Sequence, residues 1–384
     1  MISYGKQSID KLDLNAVISV LKSRWLTQGP KVKEFENKLS KYFGANYCSV
    51  VSNGTAALHL VGLALGWKKG DVVLCSSISF LAASNAALYS NATPVFVDIN
   101  PQDFNINILD IEKKIKKDKK KRIKAIIATD YAGNPCEWKQ LKKIAKKNKI
   151  TLINDNCHAI GSRYKNNKMY AIKYADIVTH SFHPVKNITT GEGGAVLTNN
   201  KKIFEKIMSL RTHGIVRKKD NSSPWYYEMK LLGFNYRLSD LQCALGITQL
   251  KKLNKFIKKR SQLASTYLKH FSNDKIFKIQ KIEKNNQSSY HLFALLIDFR
   301  KLKINKKQLF RILLKKKICL QVHYIPVYKQ PFYKKKFNYK SKDFPNAENF
   351  YRSQISLPIF YDLKINIANK IALLIKKIIN DNKR

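Results

Sequence analysis

Short apolar runs alternate with helical patterns between about residues 50 and 200. The runs that read as strands are residues 72–80, 93–99, 124–131, 150–156, 176–182 and 194–199. Several are apolar at consecutive positions, which is typical of strands buried on both faces of a sheet. The pattern therefore predicts an α/β fold with a mainly parallel central sheet that is sandwiched by helices.

Helical periodicity marks both the connections between these strands and the C-terminal third of the chain. The predicted helices cover residues 55–66, 108–121, 239–260 and 306–317. The first ends on Gly66, a common residue just after a helix. The last two indicate a change of organisation after about residue 250. We predict a large N-terminal domain over residues 1–250 and a smaller α+β domain over residues 251–384.

The balance of charge is strongly basic, with 72 Lys plus Arg against 26 Asp plus Glu and a formal net charge of +46. An excess of this size raises nucleic acid or an anionic membrane as partners. However, 61 of the basic residues are Lys and 11 are Arg, and base readers depend on the planar fork of Arg. The Lys runs lie in or beside helical patterns, which favours solvated helix faces. We therefore expect no nucleic-acid partner.

Other features restrict the class of protein further. No stretch of 18 or more apolar residues occurs, so we expect no membrane-spanning helix. The first ten residues, MISYGKQSID, lack the apolar core of a signal peptide, which predicts a cytoplasmic protein. The six cysteines have no CxxC spacing, so we expect free thiols, no disulfide framework and no metal site.

Candidate chemistry gathers around one lysine and one aspartate. Lys186 lies in SFHPVKNITTGEGG (181–194), between a predicted strand and a glycine-rich segment. Asp155 closes the apolar run ITLIN, so its carboxylate should lie at the same carboxyl edge of the sheet. A Lys that bonds to the cofactor and an Asp that faces the ring nitrogen are what pyridoxal phosphate (PLP) sites require. The alternatives are a surface Lys in a turn and an Asp that caps the following helix.

A third element is SNGTAALHL (52–60), a polar turn that opens onto a helix. Free N–H groups and the helix dipole make such a terminus an anion site, although an ordinary cap explains the same residues. It is not a P-loop, because no GK[ST] follows. His158, Ser181, His183 and Phe80 fall near predicted strand ends, where packing and function are both open.

Together these residues resemble the sugar aminotransferases of the PLP-dependent fold type I enzymes, the DegT/DnrJ/EryC family. The resemblance runs from YGKQSID (4–10) to SLPIFYDL (356–363), nearly the whole chain. Further matching segments are LTQGP (26–30), SNGTAALHL (52–60), YAGNPC (131–136), LGFNYRLSD (232–240) and VHYIPVYKQPFY (322–333). Several of them are similar to the subgroup that makes UDP-4-amino-4,6-dideoxy-N-acetyl-β-L-altrosamine on the route to pseudaminic acid.

The resemblance implies a PLP enzyme that uses L-glutamate as amino donor and a UDP-linked 4-keto-6-deoxy-N-acetylhexosamine as acceptor. It also implies a homodimer with active sites at the interface. Lys186 and Asp155 take the catalytic positions. The cofactor-binding positions are Gly54, Thr55, Phe80, Asp155, His158, Ser181, Lys186 and Asn235, with Asn235 reaching the phosphate from the other subunit. The segments that shape the sugar-nucleotide site contain Tyr4, Thr27, Gln28, His323 and Tyr324.

Two departures from the family pattern and two other functions stay open. NDNCH (154–158) stands where the family more often has an acidic residue, Asp and then Ala, and Asp130 stands where many relatives have His. One alternative is the same fold acting on another keto sugar nucleotide, linked to dTDP or GDP. The other is a basic nucleic-acid-binding protein on an inactive PLP scaffold. The related sugar dehydratases carry His in place of the cofactor-bonding Lys, so Lys186 argues against them.

Overall fold

The computed structural model describes residues 1–217 and 223–384. The strands are β1 (Tyr47–Val51), β2 (Val72–Ser76), β3 (Thr93–Val97), β4 (Ile123–Thr129), β5 (Thr151–Asp155), β6 (Ile177–Ser181), β7 (Gly194–Thr198), β8 (Ile215–Val216), β9 (Glu228–Met229), β10 (Phe277–Ile279), β11 (Phe293–Ile297) and β12 (Gln354–Leu357). The helices are α1 (Lys11–Leu21), α2 (Pro30–Phe43), α3 (Gly54–Ala64), α4 (Ala82–Tyr89), α5 (Ile108–Lys117), α6 (Trp138–Asn148), α7 (Tyr170–Tyr174), α8 (Lys201–Leu210), α9 (Asp240–Phe271), α10 (Lys306–Lys315), α11 (Pro331–Lys336), α12 (Pro345–Ser353) and α13 (Ile365–Asp381).

The central sheet has the strand order β1-β7-β6-β5-β4-β2-β3 within the described residues. Strands β3, β2, β4, β5 and β6 run parallel, while β7 is antiparallel to both β6 and β1. Most central strands are buried along their length, as expected when helices cover both faces. The predicted α/β architecture is confirmed.

Each of the predicted strands between residues 72 and 199 corresponds to a strand of this sheet, β2 to β7. The predicted bounds were too long at the carboxyl end of β2, because Ser77–Phe80 leaves the sheet to form a loop. Strand β1 and the strands of the smaller sheet were not predicted. The chain leaves β2, β4, β5 and β6 at one edge, and their following loops meet there.

Local capping explains where the helices around this edge begin. The Asn53 side chain accepts the N–H of Ala56 at the start of α3. Ser239 and Gln242 form a reciprocal capping box at the start of α9. Each cap satisfies backbone donors that have no partner inside the helix.

The predicted helix over residues 108–121 ends earlier in the structure, at Lys117.

A smaller antiparallel sheet, with the order β10-β11-β12, carries its own apolar core. Helix α9 links the two parts. Its Leu253, Phe256 and Ile257 pack in the core of the central sheet, whereas Leu263 belongs to the core of the smaller sheet. The helix therefore changes partners a few residues beyond the predicted boundary at residue 250, and the exact boundary stays a prediction.

The Lys run of α6 lies on the surface of that helix. In α6, Leu141 and Ile144 are buried while Lys142 and Lys143 are exposed, so the run is the solvated face of an amphipathic helix. All six cysteines are free thiols, and Cys157 and Cys319 are partly exposed. Over residues 1–217 and 223–384, no helix has the length and apolarity to cross a membrane.

Candidate active site

The carboxyl ends of adjacent parallel strands bring the candidate catalytic residues to one edge of the sheet. Asp155 is the last residue of β5 and lies in register with Thr129 of β4 and Thr179 of β6. Ser181 ends β6, and Lys186 follows in the loop between β6 and β7. In open α/β sheets, ligands bind in the crevice outside these strand ends.

Asp155 is held by two neighbours and is only 8% exposed. Its Oδ2 accepts a hydrogen bond from Thr129 Oγ1 at 3.2 Å, and its Oδ1 accepts the Cys157 N–H at 3.3 Å. A buried carboxylate with two neutral donors still favours a cationic partner. The arrangement leaves Asp155 suited to stabilise a positive charge in the crevice.

Lys186 lies within electrostatic reach of Asp155. Burial lowers the pKa of the Lys186 ammonium, while the neighbouring Cys157 and Asp155 act in the opposite direction. A lowered pKa raises the fraction of free amine at neutral pH. The free amine is the form that attacks an aldehyde and that later acts as a base. The charges of Lys186 and Asp155 thus interact, and their joint role at a cofactor stays a prediction.

The N-terminus of α3 opens onto the same edge. Asn53 binds the N–H of Ala56 through its side chain and that of Ala57 through its carbonyl, and no acceptor in the described residues takes the N–H groups of Gly54 and Thr55. A Cβ on Gly54 would lie 2.8 Å from the Cβ of Ser181. Glycine therefore lets the free N–H groups approach Ser181, an arrangement that suits an anion.

His158 lies within electrostatic reach of Lys186 at the same edge of the sheet. Its Nδ1 faces the N–H of Ala132 at 3.4 Å, and its Nε2 lies 2.9 Å from the hydroxyl of Tyr324. Burial, followed by the charges of Lys186 and His323, lowers the pKa of His158 well below its usual value. The imidazole is therefore neutral at physiological pH and carries a single ring proton.

Aromatic rings from the two ends of the chain and from the loop after β2 pack together beside His158. The Tyr4 and His323 rings lie 5.1 Å apart, and the Phe80 and Tyr324 rings 6.1 Å apart. His323 Nδ1 bonds to the hydroxyl of Ser356 at 2.8 Å. Phe80 remains 59% exposed, so its ring offers a free apolar surface. The structure places these residues around the crevice with Lys186.

Some of the residues that the sequence predicted for the site do not contact the residues around Lys186 in the same chain. Gln28 donates its side-chain amide to the carbonyls of Thr27 and Leu238, so it is bound beside the start of α9. Asn235 is exposed and accepts a hydrogen bond from Arg237. In the described residues neither Gln28 nor Asn235 bonds to the residues around Lys186. His183 is also exposed.

Sequence reasoning missed one histidine of the crevice. His291 is 4% exposed, and its ring centroid lies 4.5 Å from that of His158. Burial is the main cause of its lowered pKa, and Lys186 contributes. His291 stands just before β11 in an otherwise apolar segment, and it reaches the site only through tertiary folding. No local signal in the sequence marks it.

Asp130, one of the departures from the family pattern, lies behind the crevice. Its carboxylate accepts hydrogen bonds from Tyr170 at 2.6 Å, from Cys136 N–H at 2.7 Å and from Asn156 at 3.0 Å. Burial raises the pKa of Asp130 to about 6. The residue therefore anchors the chain beside Asp155 and has its acceptors turned away from the crevice.

The residues of the crevice fit PLP. The ε-amine of Lys186 suits the aldehyde, the Asp155 carboxylate suits a protonated ring nitrogen, and the free N–H groups of Gly54 and Thr55 beside Ser181 suit the phosphate. Over the described residues, no group of three or more His, Cys, Asp or Glu could hold a metal ion.

Comparison with known proteins gives the same class. The model of the DegT/DnrJ/EryC1/StrS aminotransferase family matches residues 7–376. The UDP-4-amino-4,6-dideoxy-N-acetyl-beta-L-altrosamine transaminase of Campylobacter jejuni is 42% identical over 96% of this chain and 95% of its own. Helicobacter pylori PseC, described as an aminotransferase of pseudaminic acid biosynthesis, superposes with a TM-score of 0.90 at 35% identity, over 99% of both chains. The PLP form of the putative sugar aminotransferase Spr1654 of Streptococcus pneumoniae gives 0.91 at 26% identity, also over 99% of both chains.

Proposed function

The chain belongs to the DegT/DnrJ/EryC1/StrS aminotransferase family, and we propose that it transfers the amino group of L-glutamate to C4 of a UDP-linked 4-keto-6-deoxy-N-acetylhexosamine. The chain is a PLP-dependent sugar aminotransferase. The proposed product is UDP-4-amino-4,6-dideoxy-N-acetyl-β-L-altrosamine, a precursor of pseudaminic acid. The choice of sugar is supported by the 42% identity to the Campylobacter jejuni transaminase of that name.

One observation carries the chemistry: Lys186 lies within electrostatic reach of the buried Asp155, at the carboxyl edge of the sheet where α3 begins. When bound, PLP supplies an electron-withdrawing ring that stabilises negative charge on the carbon bearing the nitrogen. Lys186 provides the base that removes the proton from the α-carbon of L-glutamate. The same amine returns a proton at C4 of the sugar. Asp155 keeps a positive charge at the far end of the ring.

The remaining cofactor-binding residues would hold and orient PLP. Gly54, Thr55 and Ser181 are proposed to bind the phosphate, since the free helix N–H groups and the serine hydroxyl lie side by side. His158 and Phe80 would bound the ring, with the exposed Phe80 face available for stacking. Hydrogen bonds to the phosphate and contacts with the ring would thus hold PLP where Lys186 acts on it.

The substrate residues are proposed from two sources. Tyr4, His323 and Tyr324 form the aromatic wall of the crevice, next to Lys186. Thr27 and Gln28 lie at the start of α9 and would meet the nucleotide portion. The net charge of +46 favours attraction of a UDP-linked substrate over a neutral one.

We also propose a homodimer with shared active sites. Large apolar side chains are exposed between β8 and α9: Trp225 is 75%, Met229 65% and Leu232 80% exposed. A patch of this kind is typical of an interface. The partner subunit's Asn235 would complete the phosphate site, which agrees with its exposed position. A location in the cytoplasm stays a prediction.

An assay with a panel of substrates tests the proposal. Purified protein is incubated with PLP, L-glutamate and UDP-, dTDP- and GDP-linked 4-keto-6-deoxy sugars, and the products are identified by mass spectrometry and NMR. The proposal predicts amination of the UDP-linked sugar. Preference for a dTDP- or GDP-linked sugar would correct the substrate and leave the reaction intact. Salt-dependent DNA binding without a cofactor absorbance band would instead support the nucleic-acid alternative.

A further inference from the structure

The hydrogen bonds of His158 determine which of its ring nitrogens carries the proton. The N–H of Ala132 can only donate, so Nδ1, 3.4 Å away, acts as the acceptor. A neutral imidazole with an unprotonated Nδ1 carries its proton on Nε2. Nε2 therefore donates to the hydroxyl oxygen of Tyr324, at 2.9 Å.

The bond from His158 leaves the proton of Tyr324 uncommitted. A tyrosine hydroxyl has one proton to give, and its oxygen is already engaged as an acceptor. In residues 1–217 and 223–384, no protein acceptor for this proton is found within hydrogen-bond distance. Tyr324 therefore presents an oriented O–H donor to whatever enters the crevice.

The neighbours of Tyr324 place this donor near the reacting amine. Its bonded partner His158 and the preceding residue His323 both lie within electrostatic reach of Lys186. The Tyr324 ring lies 6.1 Å from that of Phe80. Burial raises the pKa of Tyr324 well above its usual value, and Asp155 and Cys157 are among the charges that reinforce this. The hydroxyl is thus protonated at physiological pH and can act as a donor.

Backbone contacts hold the donor in place. The hydroxyl of Tyr131 donates to the carbonyl of His323, the residue before Tyr324, at 2.5 Å. The N–H of His323 donates to the side chain of Gln354 at 3.1 Å. Both large and small domains therefore fix the segment that carries Tyr324, and the donor is preorganised rather than mobile.

We propose that Tyr324, oriented by His158, donates a hydrogen bond to the C4 oxygen of the keto sugar and so acts as a further catalytic residue. This inference rests on the proposed function. The C4 oxygen must leave as water when nitrogen takes its place, and a donor polarises the C=O bond toward attack and stabilises charge that develops on that oxygen. A neutral hydroxyl suits this neutral carbonyl, whereas the carboxylates of L-glutamate call for cationic partners.

The test is Tyr324→Phe, which removes the hydroxyl and keeps the ring. The glutamate half-reaction and the keto-sugar half-reaction are measured separately by rapid mixing, and the pH dependence of the absorbance of the Lys186-bound cofactor is recorded. We expect the sugar half-reaction to slow by about 10²–10³-fold, as for loss of one preorganised donor. The glutamate half-reaction should change by less than about threefold, and the pH dependence of the absorbance should be unchanged.

Tyr328→Phe is the matched control, because it makes the same change four residues away. The Tyr328 hydroxyl is buried and already committed to Glu348 at 2.9 Å, so neither half-reaction should slow selectively. Equal losses in both half-reactions of Tyr324→Phe, no loss in either, or a shifted cofactor titration would each overturn the inference. A wild-type enzyme that consumes glutamate but aminates no keto sugar would overturn the proposed function as well. A wild-type enzyme that aminates the sugar no faster than Tyr324→Phe would overturn the inference alone.

Discussion

Replacement of Asp155 by Asn separates the charge of this residue from its role in packing. The Asn carbonyl oxygen can accept the Cys157 N–H, and its amide can donate to Thr129, because a hydroxyl also accepts. The fold should therefore lose less than about 1 kcal/mol. In the loaded enzyme the Asp155 carboxylate would pair with the positive charge on the cofactor ring. Removing one member of a buried ion pair costs about 3–5 kcal/mol. A reaction barrier raised by this amount corresponds to a loss of rate of about 10²–10⁴-fold.

The assay compares Asp155→Asn with the wild type in three measurements: the thermal midpoint, the absorbance of the bound cofactor and the rate of aminotransfer. We expect a similar midpoint, retained cofactor and a rate lower by at least about 10²-fold. Asp176→Asn is the matched control, since Asp176 accepts the Leu152 N–H at the opposite edge of the same sheet, at 2.8 Å. A rate within about threefold of the wild type in Asp155→Asn would refute the role given to its charge.

Three further changes test other parts of the account. Gly54→Ala places a Cβ 2.8 Å from the Cβ of Ser181. Overpacking of this kind costs about 1–3 kcal/mol, so the Kd for PLP in an absorbance titration should rise by about fivefold or more, and an unchanged Kd would contradict the phosphate site. Burial lowers the pKa of His180 to about 3, so its ring stays neutral in the folded protein while the unfolded chain gains a proton below pH 6.5. The free energy of unfolding therefore decreases as pH falls from about 6.5 toward 3. In denaturant titrations, His180→Gln should make this decrease shallower by up to about 1.4 kcal/mol per pH unit. An equal slope in the variant and the wild type would contradict the lowered pKa of His180. Mixed subunits of Lys186→Ala and Asn235→Ala should regain up to about a quarter of wild-type activity, because half of a random mixture is hybrid and each hybrid has one intact site; no recovery would argue against sites shared between subunits.

The sequence was sufficient to predict the central sheet, and the reason is burial. Strands such as β2 and β7 are buried along their whole length, so they stand out as apolar runs. Strand β1 has the polar Ser49 at its centre and a polar turn directly after it, so its apolar run is interrupted. The smaller sheet pairs strands that are far apart in the chain, such as β11 and β12, and no local pattern reports that pairing.

The candidate site divides in the same way. Lys186 and Asp155 could be chosen as candidates from the sequence, because Asp155 ends one buried strand and Lys186 follows the next, and these strand ends must lie at the same edge. The contact between His158 and Tyr324 joins residues 166 positions apart, and it depends on how the smaller domain docks. His291 enters the site through the same docking, so neither its position nor its contact with His158 could be read from neighbouring residues.

Asp130 shows how a departure from a family pattern acquires a meaning from structure. In the sequence it was a residue that stands where relatives often have His. In the fold its carboxylate collects donors from Tyr170, Trp138 and Asn156, and it supports the strand end next to Asp155. Its contribution is to the placement of the site, since its hydrogen bonds are already committed inside the protein.

The most direct test of the central claim is to follow the nitrogen atom. The enzyme is incubated with PLP, ¹⁵N-labelled L-glutamate and the UDP-linked 4-keto-6-deoxy-N-acetylhexosamine, and the product is analysed by NMR, with Lys186→Ala in parallel. The account predicts ¹⁵N bonded to C4 of the sugar with the wild type, and neither labelled product nor the absorbance of Lys-bound cofactor with Lys186→Ala. Normal transfer of ¹⁵N by Lys186→Ala, or no labelled sugar from the wild type, would contradict it.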